Sequence, residues 1–200
     1  MMGVRKKKGL RIWRRFCRDR DGVALVEFAM ALPVMLIAYL GMVEVVQLVM
    51  INRKVTQLTS ALSDLTARVQ SVSPQDVESI FNAAQVILMP YDELKAKMVI
   101  ASLVIGSDGI ARVCWSNQRR GTVLDRGTTV PIPEIYRTPN TSVIMARASY
   151  TYTPAFGYVL TGSFTLGDNP IFTRPRSGLV GGTLGIEQVK RTNADACPTF

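Results

Sequence analysis

Two hundred residues, nearly half of them apolar and none of them histidine, leave room for one modest domain beside any membrane segment. The missing histidine removes Ser-His and Cys-His nucleophile pairs and every His-bearing zinc site. The net charge of +9 is concentrated at one end: residues 1–21 hold nine Lys/Arg against Asp19 and Asp21, and the rest of the chain carries only +2.

A basic head of this kind either binds nucleic acid or reports topology. Here it stands directly before an apolar run, where Lys and Arg are retained on the cytoplasmic side, and topology is the favoured reading. The run, GVALVEFAMALPVMLIAYLGMVEVVQLVMI over residues 22–51, is too long for the core of a secretory signal, and no Ala-x-Ala site precedes a new polar segment. Residues 23–43 as a helix cover about 30 Å, the thickness of a bilayer's hydrocarbon core. One span, with the N-terminus inside and the remainder outside, is predicted.

Beyond the span, Leu48, Ile51, Val55, Leu58, Leu62, Leu65, Val69 and Val72 recur at alternating spacings of three and four. One continuous helix from about Val23 to Ser71 is therefore predicted. Its seam suits a partner helix or the chain's own globular domain equally well. Ser73 then caps a second helix, with Pro74 at its first position, Asp76 and Glu78 in its first turn, and Val77, Ile80, Phe81, Ala84, Ile87 and Leu88 on its apolar side, up to Pro90.

The pattern next switches to strands. Met98–Ile105 and Ile110–Trp115 flank Gly-Ser-Asp-Gly as a hairpin, and Ser142–Thr153 is a third strand rich in β-branched and aromatic residues. Residues 117–141 read as a long loop, and the Gly- and Pro-rich tail holds short strand-like pieces around Phe164 and Ile171. The predicted class is α+β. A basic leader (1–22) and a transmembrane and extended helix (23–72) precede a periplasmic domain with a Gly/Pro-rich tail (73–200).

Cysteines sort by compartment. Cys17 falls on the reducing side, whereas Cys114 and Cys197 fall where a disulfide persists, so one bond between them is a candidate beside the alternative of two separate thiols. No Gly-Lys-Ser/Thr phosphate loop occurs, Gly178, Gly181, Gly182 and Gly185 lack dinucleotide spacing, and Asp92-Glu93 sits in a turn-like context. Nothing points to an enzyme, a cofactor, a metal, a nucleic acid or a small-molecule substrate.

Function is carried by the start of the apolar run. Glu27 is a carboxylate inside the span, five residues past Gly22, and a charge in hydrocarbon needs a partner. Cutting between Gly22 and Val23 would create an α-amine at Val23 for Glu27 to meet, in its own helix or in a staggered neighbour. Ala24, Ala31, Ala38 and Gly41 share one face with Glu27, where small residues permit close helix approach in lipid. The competing reading has Glu27 snorkelling to nearby headgroups and the small residues serving no special purpose.

The stretch Gly22-Val23-Ala24-Leu25-Val26-Glu27-Phe28-Ala29, followed by Leu32-Pro33 and then Gly41 with Glu44, resembles the N-terminal segment of TadE-like proteins. These are pseudopilins of tight-adherence (Flp-type) pilus systems. Tyr150-Thr-Tyr and Arg174-Pro-Arg176 resemble the family further along the chain. The resemblance implies processing by a prepilin peptidase after Gly22, an assembly role for Glu27 and Phe28, and partners among other pilins or pseudopilins and the assembly platform at a bacterial inner membrane. Since major pilins of this type are far shorter, it implies a minor component that initiates or primes assembly. The alternative is an unprocessed, membrane-anchored periplasmic binding or scaffold protein.

Overall fold

The computed structural model describes residues 21–157, 160–182, 184–195 and 197. The basic head and Cys17 lie outside them. The described chain divides into two units, Met1–Val46 with Pro154–Thr161, and Gln47–Thr153 with Gly162–Phe200.

The first helix, α1, runs Asp21–Ala67 with Pro33 inside it. Pro33 has no N–H to give the Ala29 carbonyl, a loss that a long helix tolerates where its other bonds are shielded from water. In the first unit α1 is apolar on every side and exposed from Gly22 to Tyr39; Gly41 and Glu44 are buried. The Pro154–Thr161 segment belongs to this unit despite lying over a hundred residues away in sequence.

In the second unit the α1 seam is occupied by the chain's own domain. Ile51, Val55, Leu58 and Leu62 are fully buried in a core with Phe81, Met98, Ile100 and Ile144. Of the two partners the periodicity left open, the globular domain takes this face. The helix stops at Ala67 rather than near Ser71, because Ser71–Val72 (β1) leaves to pair in parallel with Lys190–Arg191. The Ala67 carbonyl accepts the Arg176 N–H at 2.8 Å in its place.

The second helix, α2 (Pro74–Gln85), starts as its sequence predicts. The Ser73 hydroxyl accepts the Asp76 N–H at 3.1 Å, and Asp76 accepts the Ser73 N–H at 2.8 Å, a reciprocal capping box. Val77, Phe81 and Ala84 bury the apolar side, and a short 3-10 turn, Val86–Leu88, continues it.

The main sheet is antiparallel. β2 (Ala96–Ile105) lies between β3 (Ala111–Arg119) and β4 (Thr141–Tyr152), while β5 (Phe164–Gly167) and β6 (Ile171–Thr173) both pair with β4. The β2–β3 turn closes through Gly106 N–H to the Ile110 carbonyl at 3.2 Å, and Gly109 takes the left-handed conformation (φ +73°) that favours glycine. β2 is an almost unbroken apolar run because both of its faces are covered. Met98 and Ile100 face the helices. Ala101, Leu103 and Ile105 join Val113, Val143, Met145 and Phe172 in a second cluster, closed by Leu124, Val130, Ile132 and Tyr136. The long loop expected after β3 is thus a cover for the far face of the sheet.

The tail is more ordered than its composition suggests. It adds β7 (Leu179–Gly181) and β8 (Ile186–Gln188) as a hairpin, and β9 (Lys190–Arg191) against β1. Gly167 is required where β5 ends: at φ +82°, an added Cβ would lie 2.5 Å from Val55 Cγ1 and 2.7 Å from the Ala148 carbonyl oxygen. The fold is α+β, with an N-terminal helix capable of crossing a membrane followed by a short helix and antiparallel sheets.

Candidate assembly site on the membrane helix

The residues singled out at the start of the span lie on the first two turns of α1. An added Cβ at Gly22 would meet nothing within 4 Å among the described residues, so its own fold does not require glycine there. Val23 and Phe28 are more than half exposed, and Glu27 is exposed with no hydrogen bond or ion pair to another described residue. Ala24, Ala31 and Ala38 are exposed on the same face as Glu27, but Gly41 is buried. The small-residue face is therefore open over its first three positions and engaged at its fourth. A carboxylate without a partner among the described residues, on an apolar and exposed helix, needs a cation or hydrogen-bond donors wherever it lies in lipid.

Glu44 has the opposite environment. Only 1% of its surface is exposed. One carboxylate oxygen accepts the backbone N–H groups of Phe156 at 3.0 Å and Gly157 at 2.8 Å, and the other accepts that of Leu160 at 3.3 Å. These donors fill the accepting positions of the Glu44 carboxylate from within its own unit. Gly157 supplies the left-handed turn (φ +63°) beside which these donors converge. Sequence reasoning noted Glu44 only within the family pattern. Its signal was a lone carboxylate closing an apolar run, but its partners lie 112 to 116 residues away and donate through backbone atoms that no side chain advertises.

Polar contacts in the second unit have structural roles. Lys54 Nζ donates to the Ile87 and Met89 carbonyls at 2.9 and 2.7 Å, satisfying the end of the 3-10 turn. The Arg119 guanidinium stacks 5.4 Å from the centre of the Phe81 ring and pairs with Glu78. Cys114 and Cys197 are joined by a disulfide with Cα atoms 5.6 Å apart, both buried. The Ser73 cap holds the Asp76 carboxyl below its ordinary range, first through the Ser73 backbone N–H and then through its hydroxyl. Asp108 is lowered likewise, chiefly by its hydrogen bonds from Arg112. Among the described residues no group of three or more Cys, Asp or Glu is placed to hold a metal.

The helix with the open Glu27, the buried Glu44 and the small-residue face coincides with a known sequence family. Residues 22–62 match the TadE-like protein family. The TadE-like segment covers the whole exposed part of α1 and continues through Ile51, Val55, Leu58 and Leu62, so it includes both the membrane-capable stretch and the buried seam. The resemblance carried by Gly22 to Glu44 is borne out by this match. No curated protein and no solved structure matches the chain. The matched segment lies on one N-terminal helix that is long and apolar enough to cross a membrane.

Proposed function

We propose that the protein is a minor pseudopilin that helps initiate or prime a tight-adherence pilus at the bacterial inner membrane. The head stays in the cytoplasm, the α+β domain lies in the periplasm, and a prepilin peptidase cuts between Gly22 and Val23. The observation that carries this reading is Glu27, without a partner among the described residues, on an exposed, small-residue helix face inside the TadE-like segment. After cleavage the Val23 α-amine supplies the missing positive partner, either in the same helix or in a neighbouring pilin or pseudopilin, where the pairing sets the stagger between helices. Phe28 and the Ala24, Ala31 and Ala38 positions give the contact surface around it. The periplasmic domain, braced by the Cys114–Cys197 disulfide, is what the assembled or assembling structure displays.

Glu27→Ala tests the reading. Removing a charge from an apolar span does not impair insertion, so membrane level is expected to hold while crosslinking to other pilins and pilus formation fall. Wild-type assembly by this variant would reduce Glu27 to a residue that reaches the headgroups, and the helix to an anchor.

A further inference from the structure

We propose that the backbone of Phe156, Gly157 and Leu160, pinned by Glu44, is a second membrane contact, so that Phe156 enters the lipid boundary on the side of the bilayer opposite Val23. This rests on the reading of α1 as a membrane anchor. Val23 to Glu44 is about 32 Å along a helix axis, and the hydrocarbon core is about 30 Å thick. With Val23 at one face, Glu44 therefore reaches the other. Its carboxylate is sealed there, 1% exposed, by the backbone N–H groups of Phe156, Gly157 and Leu160 at 2.8 to 3.3 Å. Residues bonded that closely to the carboxylate share its depth.

The chemistry of the segment fits that depth. Residues 154–161 read PAFGYVLT and contain no charged residue. Phe156 is 49% exposed although its backbone is fixed, and Met42, Val45 and Val46 on the same stretch of α1 are exposed apolar side chains. Tyr39, also exposed, lies about one and a half turns before Glu44. Tyr gathers at membrane–water interfaces, and an apolar ring such as that of Phe156 buries into the headgroup–acyl boundary. Continuity with the span selects lipid as the occupant. The Glu44 carboxylate in turn satisfies backbone donors that the boundary would otherwise leave without water.

The experiment uses the full chain, wild type and Phe156→Trp, in phosphatidylcholine vesicles whose acyl chains are brominated near the headgroup or near the chain ends. The reading is the tryptophan emission that the variant adds over the wild type, which retains Trp13 and Trp115. Roughly twofold stronger quenching of that increment by the shallow bromines than by the deep ones is expected, as for an interfacial ring. Combining Phe156→Trp with Glu44→Ala should abolish the depth preference while flotation with the vesicles is unchanged. An unquenched increment in protein that floats would overturn the proposal, assign Phe156 to a protein partner or to solvent, and leave the anchor intact. Persistent shallow quenching in the double variant would overturn the role of Glu44. Protein that fails to float would overturn the anchor reading itself, and the proposal with it.

Discussion

Gly157 donates its backbone N–H to Glu44 at 2.8 Å, joining the end of an apolar helix to a loop 113 residues further along the chain. Two more donors, from Phe156 and Leu160, complete the shell around this buried carboxylate. Glu27, about 25 Å back along the same helix, has no such shell among the described residues. Two acids in one apolar segment thus differ in state. One is satisfied within its own unit; the other has no partner among the described residues.

Glu44→Ala would leave three N–H groups without their acceptor, at about 1–3 kcal/mol for each one that stays buried and unmet. Amide exchange at Phe156, Gly157 and Leu160 should accelerate by tenfold or more, since about 1.4 kcal/mol corresponds to that factor. Glu44→Gln, which keeps the shape but only one accepting oxygen, should fall between. Unchanged exchange in the alanine variant would mean that the loop is held by other contacts.

Replacing Cys114 and Cys197 together by serine opens a loop closed across 83 residues of sequence and should lower the stability of the second unit by about 2–4 kcal/mol. Trp115, whose indole N–H donates to the Val189 carbonyl at 2.8 Å, reports the transition by fluorescence. A denaturation midpoint equal to that of the oxidised wild type would show that the bond adds nothing to stability.

The α2 cap predicts an acid-sensitive contribution. Because the folded Asp76 carboxyl is lowered, its contribution is complete at neutral pH and is lost as pH falls from the ordinary carboxylate range through the lowered value. The difference in melting temperature between wild type and Asp76→Ala should be present at neutral pH and close in acid. A gap that widened in acid would contradict the assignment. Ser73→Ala, which removes the other half of the box, should cost about 1 kcal/mol at neutral pH.

Local chemistry made much of this legible in advance. Ser73-Pro74 with Asp76 specified a helix start, Gly106 to Gly109 a hairpin, and the spacing of Ile51, Val55, Leu58 and Leu62 a buried seam. What escaped was non-local. The helix ends at Ala67 because β1 pairs with β9, more than a hundred residues away. Residues 117–141 read as a long loop, yet 117–119 complete β3, Thr141 opens β4, and Ile132 and Tyr136 close a second core because both faces of β2 need covering. Glu44 appears in the sequence only as part of the family pattern, and its partners stayed hidden for the same reason: backbone donors have no sequence signature.

The most direct test of the pilin-like role is the N-terminal residue of the membrane-extracted protein, determined by sequencing or intact mass. A chain beginning at Val23 is expected. Gly22→Leu, which α1 accommodates because no described residue lies within 4 Å of an added Cβ there, should instead yield a stable, uncut precursor retaining its basic head. A wild-type chain that begins at Met1 or Met2 in cells with an active prepilin peptidase would contradict processing, and with it the pairing of Glu27 to a new α-amine.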